Sequence, residues 1–169
     1  MLLICTASSG HNRALAMRLA EVASTLDMPT SVLDLTAVDL PVYTPQRDAE
    51  GAPDAVAGIA EMFVQATCFF VCAPEYNGSI PPTLNNTIAW LSTQTSDFRS
   101  LFNTKPLAIA THSGGGGQKV LLAMRQQFSH LGCNVVGREL LTNPSKALRA
   151  ESARAILQQL QHMARPTAS

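Results

Sequence analysis

The chain has 169 residues, 46% hydrophobic and 14% charged, and its 12 basic residues balance 12 acidic ones. That length buries a real core and fits one domain over residues 1–169. The zero net charge argues against nucleic acid as a main partner, since phosphate backbones call for a basic surface, and against an acidic redox carrier that docks on basic partners.

Leu2–Thr6 reads as a short buried strand and Ala7–His11 as the loop after it. From Asn12 the spacing predicts a helix to about Leu26, with Leu15, Leu19, Val22, Ala23 and Leu26 on one face. Asp27-Met28-Pro29 ends it, and Ser31–Leu35 is a second strand. A polar segment then runs from Thr36 to Pro53 with three prolines and one glycine. Loops of that length without structure are uncommon and often functional. Asp54 opens a helix through Val56, Ile59, Ala60 and Phe63. Thr67–Ala73 is a buried strand, and Pro81–Thr93 is a helix with Ser79 as its expected cap. Thr95–Asn103 reads as a connector, Pro106–Thr111 as a fourth strand, and Gln118–Leu131 as a helix closed by Gly132. Cys133–Gly137 is the fifth strand, and residues 150–164 form the last helix before a frayed tail, Arg165–Ser169.

Strands alternating with helices call for a parallel sheet covered on both faces. Five strands and five helices fit an α/β, flavodoxin-like three-layer sandwich. Its five-stranded parallel sheet would run in the order 2-1-3-4-5, an order taken by analogy. No stretch is long enough to cross a membrane, and no basic segment precedes Leu2-Leu3-Ile4-Cys5. The expectation is a cytoplasmic protein. Cys5, Cys68, Cys72 and Cys133 form no C-x-x-C pair and read as small buried hydrophobes in a reducing compartment.

In such a sheet the loops after strands 1, 3 and 4 gather at one edge, where ligands bind. The first, Thr6–Asn12, sets small hydroxyl residues at a helix N-terminus, which suits either a phosphate or simple capping by Ser8, Ser9 and Asn12. The second, Pro74-Glu75-Tyr76-Asn77-Gly78-Ser79, presents backbone between a strand and a helix; Asn77-Gly78 alone suggests a hairpin turn, and Pro81-Pro82 oppose a second strand. The third is Ser113 followed by four glycines, Gly114–Gly117, a run without side chains that suits a planar ligand or a flexible connector. His112, alone at a strand end, reads as structural. A phosphate site beside two backbone-rich loops suits a flavin mononucleotide, with redox chemistry supplied by the cofactor.

Pro74 to Pro82, with Leu84, Asn86, Ile88 and Trp90 after it, resembles the signature of the NADPH-dependent FMN reductases, which include azoreductases, quinone reductases and chromate reductases. Leu40-Pro41-Val42-Tyr43 and Ser113–Gly117 with Leu122 and Arg125 are similar to further segments of that family. The resemblance implies FMN phosphate contacts at Ser8, Gly10, His11 and Asn12. It implies ring contacts at Pro74, Glu75, Tyr76, Asn77 and Gly78, and at Ser113, Gly114, Gly115 and Gly116. It also implies NADPH or NADH as hydride donor, a small-molecule electron acceptor, and a homodimer or homotetramer. The chain departs from the family pattern in three places. No arginine lies between Thr6 and Asn12, Asn85 and Ala89 replace a Lys and Asp pair, and Lys119 stands for an arginine. A flavodoxin-type electron carrier without nicotinamide activity is the alternative reading.

Overall fold

In chain order the elements are β1 (Leu2–Thr6), α1 (His11–Ser24), β2 (Thr30–Asp34), α2 (Pro45–Glu50), α3 (Asp54–Gln65), β3 (Cys68–Cys72), α4 (Pro82–Leu91), β4 (Pro106–His112), α5 (Gln118–His130), β5 (Asn134–Val135), β6 (Leu140–Thr142) and α6 (Ala150–Met163). This computed structural model describes residues 1–165, so the expected tail beyond Arg165 lies outside the described residues. The strands pair in parallel in the order β2-β1-β3-β4-β5, with β6 also on β4. Leu2 stands beside Cys68, and Phe69 beside Leu107.

β1, β3 and most of β4 are apolar and buried because both of their faces are covered. Side chains alternate between two cores. Leu2, Ile4, Phe70, Ala108 and Ala110 meet α1 and α6 through Leu15, Leu19, Ile156 and Leu160. Leu3, Phe69, Val71, Leu107 and Ile109 meet α3, α4 and α5 through Ile59, Phe63, Leu84, Ile88, Val120 and Phe128. The connector after α4 adds Phe102, fully buried, whose ring lies 5.5 Å edge-on from Phe63 and 6.4 Å from Phe128. Lys105 closes this core at its lower end: its Nζ sits 5.3 Å over the Phe69 ring and donates to the carbonyl of Phe63 in the last turn of α3. All four cysteines are free and buried. Burial pushes the Cys5 thiol up to about 12.

Two expectations need correction. The sheet has six strands, because the fifth position is filled by two short pieces, β5 and β6, rather than by one strand over Cys133–Gly137. Arg125 of α5 explains the break. Its Nη1 donates to the carbonyl of Val136 at 3.0 Å and its Nη2 to that of Gly137 at 3.5 Å, and Nη2 also pairs with Glu139 at 3.0 Å. The carbonyls of Val136 and Gly137 thus bond a guanidinium rather than a neighbouring strand. Second, Ser79 does not cap α4: Pro81 is the N-cap, without a side-chain cap bond.

The long segment after β2 is ordered by α4. It contains a sixth helix, α2, whose N-cap Thr44 accepts from the Arg47 amide at 3.2 Å. Ahead of it, the extended Leu40–Tyr43 stretch has no strand to pair with. Asn86 supplies the partners instead: Oδ1 accepts from the Tyr43 amide at 2.7 Å, while Nδ2 donates to the carbonyls of Leu40 at 3.2 Å and Pro41 at 3.0 Å. Trp90, fully buried, donates from Nε1 to the same Pro41 carbonyl at 2.8 Å and packs against Tyr43 at 5.2 Å. Between strap and helix lies a groove of about 500 Å³ that Tyr43 helps to line.

Replacing Asn86 with Ala is expected to lower the unfolding free energy by about 2 kcal/mol, because the Tyr43 amide and the Leu40 carbonyl lose their partner together and the Pro41 carbonyl keeps only Trp90. Amide exchange should accelerate selectively over residues 36–50. The exposed neighbour Asn85→Ala should change stability by less than about 0.5 kcal/mol in the same denaturant titration.

Candidate functional site

Strands β1, β3 and β4 are adjacent, so the loops after them share one edge of the sheet. Backbone bonds carry the pairing up to the loop bases: the Ala7 amide donates to the Cys72 carbonyl at 3.0 Å and the Ala73 amide to Ala110 at 3.1 Å. Every residue expected at the site lies on these three loops or on the first turn of α1.

The first loop ends at Gly10, the N-cap of α1. No side chain caps this helix, and its first turn holds no acidic residue. Capping by Ser8, Ser9 or Asn12 is therefore not what these residues do here. Unpartnered amides at a helix start carry partial positive charge and favour an anion. Asn12 is engaged within the fold. Its side chain is buried and bonds both backbone groups of His112: Nδ2 donates to the His112 carbonyl at 3.0 Å, and Oδ1 accepts from the His112 amide at 2.8 Å. One amide side chain thus ties the start of α1 to the end of β4.

The second loop closes on itself as a two-residue hairpin. The Tyr76 amide donates to the Ser79 carbonyl at 3.1 Å, and the Ser79 amide returns to Tyr76 at 2.9 Å. Asn77 and Gly78 at the tip have φ of 51° and 75°, the left-handed pair that a tight hairpin demands. Pro81 then starts α4 at once, so both sequence signals are obeyed in succession. Tyr76 is half exposed at the hairpin. Glu75 points to the neighbouring loop, where its Oε2 accepts from the Val120 amide of α5 at 3.4 Å. That carboxylate takes the place of a cap, since Gly117 at the N-cap of α5 has no side chain to offer.

The third loop contains two kinds of glycine. At Gly117 φ is 75°, and an added Cβ would lie 2.9 Å from Thr111 Cγ2 and 3.2 Å from Ser113 Cβ. The fold itself requires that glycine. Gly114, Gly115 and Gly116 are exposed. A Cβ on Gly114 would meet nothing within 4 Å, on Gly115 only Ser113 Oγ at 4.0 Å, and on Gly116 only the end of the flexible Gln118 side chain. Nothing in the chain accounts for their lack of side chains. They leave an open backbone surface beside the uncapped start of α1.

Two residues of this edge were not among the expected ones. The His112 ring stacks on His11, with centroids 4.5 Å apart and planes inclined by 27°. Thr142, at the end of β6, lies 3.1 Å from His112 Nδ1 through its Oγ1. Burial, and after it the charge of His11, lower the His112 pKa from its ordinary value. A signal for His112 was present in its place at a strand end. Thr142 had none, because β6 is only three residues long.

The family model for NADPH-dependent FMN reductase matches residues 1–146. A quinone reductase of Escherichia coli (strain K12) is 34% identical over 103 residues, 59% of this chain and 53% of that protein. A probable NADPH:quinone oxidoreductase 1 of Oryza sativa subsp. japonica is 36% identical over 77 residues, 45% of this chain and 37% of that protein. The aligned part is thus about half or less of each relative's length. Among solved structures, FerB, a flavoenzyme NAD(P)H:(acceptor) oxidoreductase from Paracoccus denitrificans, matches with a TM-score of 0.73 at 18% identity, covering 96% of this chain and 94% of FerB. That identity speaks for the fold alone. Matched over most of its length, the chain belongs to the NADPH-dependent FMN reductase family.

Proposed function

We propose that this protein is an FMN-dependent NAD(P)H oxidoreductase that reduces small acceptors such as a quinone, an azo compound, a metal oxyanion or free flavin. In this reading residues 1–169 work as one flavin domain in the cytoplasm, as a homodimer or homotetramer. The observation that carries it is the open backbone of Gly114–Gly116 next to an α1 N-terminus that no side chain caps. The first suits a flat ring and the second a phosphate.

Ser8, Gly10 and His11 would hold the phosphate at the start of α1. Asn12 contributes indirectly, by fixing that helix start to β4. Pro74, Tyr76, Asn77 and Gly78 on one side and Ser113 to Gly116 on the other would bound the ring. Glu75 supports this arrangement through α5. Bound FMN supplies hydride acceptance from a nicotinamide and hydride donation to a second substrate in the same place, a ping-pong order. The chain's own contribution is placement. The Lys119 side chain lies against the hairpin tip, its Cδ 3.3 Å from the position a Cβ would take on Gly78. Rigid loops fix the ring without reorganisation during reaction.

Protein supplied with FMN should show a flavin absorption band that bleaches on anaerobic addition of NADPH or NADH and returns when a quinone is added. A band that persists with both nucleotides would instead favour an electron carrier, and no band would remove the flavin reading altogether. The two classes of glycine give a second check. Gly115→Val should leave stability within about 0.5 kcal/mol of the parent, yet weaken FMN binding at least about tenfold. Gly117→Ala should cost about 1–3 kcal/mol of stability through its positive φ and crowded Cβ. Parent-like FMN affinity in Gly115→Val would mean that the ring does not lie on this loop.

A further inference from the structure

Among the described residues β6 pairs with β4 alone, so its other edge is open. The chain after it turns back before α6 begins. Asn143 and Lys146 exchange both backbone hydrogen bonds at 3.0 Å, and Asn143 Oδ1 accepts from the Ser145 amide at 2.9 Å and from its hydroxyl at 2.8 Å. A cavity of about 390 Å³ remains between β6, this turn and the start of α6. That volume holds a small organic molecule. Its apolar wall comes from Leu141 and Leu148, both half-buried, and from Ile156 of α6. None of the residues expected to hold FMN lines it.

The charged residues around this cavity are Arg138, Glu139, Lys146 and Arg149. Glu139 is paired with Arg125 of α5 at 3.0 Å, and Arg149 with Glu151 at 3.3 Å. Among the described residues Arg138 and Lys146 have no carboxylate partner. Arg138 stands just before β6 and Lys146 in the turn after it, so the two flank the strand. Both are carried on backbone that other bonds hold, the carbonyls of Val136 and Gly137 by Arg125 and the Lys146 peptide groups by Asn143. In a chain whose charges sum to zero, two uncompensated cations thus border one half-apolar cavity. An apolar wall alone would accept any small hydrophobe, and cations alone any anion. Together they call for a molecule with an anionic head and an apolar body. Two free cations match a doubly charged head. A phosphate monoester carries about −1.5 to −2 at neutral pH, whereas a carboxylate carries a single charge. The guanidinium adds a forked pair of donors that fits phosphate oxygens.

We propose that the cavity between β6 and α6 is a binding site in its own right, for a phosphate monoester with a small apolar body. Arg138 and Lys146 meet the phosphate, Leu141 and Leu148 cover the body, and Ser152 of α6 supplies a hydroxyl. Arg149 contributes less, because Glu151 already neutralises it. The site does not depend on the flavin reading. It lies beyond β4 from the hairpin after β3 and is built from a different stretch of chain.

The test is a titration of the full ¹⁵N-labelled chain with phenyl phosphate, inorganic phosphate and benzoate, followed by amide chemical shifts. Phenyl phosphate should give saturable shifts over residues 138–152. It should bind about tenfold more tightly than inorganic phosphate, which lacks the apolar body, and about fivefold more tightly than benzoate, which lacks the second charge. Arg138→Gln and Lys146→Gln should each weaken phenyl phosphate about fivefold. Both residues are exposed, so the fold is retained. Glu151→Gln, which releases Arg149, should tighten it about twofold, a gain that no folding defect produces. Shifts that do not saturate, or that reach only residues 8–12, would overturn the proposal. So would equal affinity for phenyl phosphate and inorganic phosphate, or parent-like affinity in both cation variants.

Discussion

Right-handed crossover connections decide where this protein can hold a ligand. A strand–helix–strand unit in a parallel sheet turns one way only, so the direction in which strands are added decides which face each helix covers. Here the chain adds β2 on one side of β1 and then returns to place β3 on the other. α1 and α6 consequently cover one face, and α3, α4 and α5 the other. The loops leaving β1 and β3 part in opposite directions at the sheet edge. The space between them cannot be filled by either helix layer.

Around that opening the chain uses its polar side chains to immobilise backbone. Asn12 bonds both backbone groups of His112, Asn86 bonds three groups of the strap after β2, Glu75 serves the start of α5, and Arg125 holds the segment before β6. Buried peptide groups without partners are costly, so these long-range bonds are what permit irregular segments to lie against the core. The same bonds leave the edge with exposed amides and few free side chains. A surface of that kind recognises a cofactor by shape and by backbone donors.

The two histidines stand out against this background. His112 joins the clamp to the stack, since its backbone bonds Asn12 and its ring lies on that of His11.

Much of the fold was legible in particular residues. Phe69-Phe70-Val71 and Leu107-Ala108-Ile109 announce strands covered on both faces, and the helices follow from apolar spacing such as Leu84, Ile88 and Leu91, because periodicity is a local property of the chain. The Asn77-Gly78 turn and the glycine run were equally visible, since backbone conformation there is governed by the residue itself. Other features were not. Arg125 reaches across from α5 to the segment between the two pieces of the fifth strand, and α2 follows a loop that Asn86 and Trp90 hold down. The bond from the Asn12 side chain to the His112 backbone was not visible either, because strand order brings those two residues together. The sequence by itself determined the longer elements, their alternation and the three loops after β1, β3 and β4, because each is set by residues close together in the chain. Only the tertiary structure decided which of those loop residues are engaged by distant backbone and which stay free, because hydrogen-bond partners and stacked rings a hundred residues apart are matched by strand order and register.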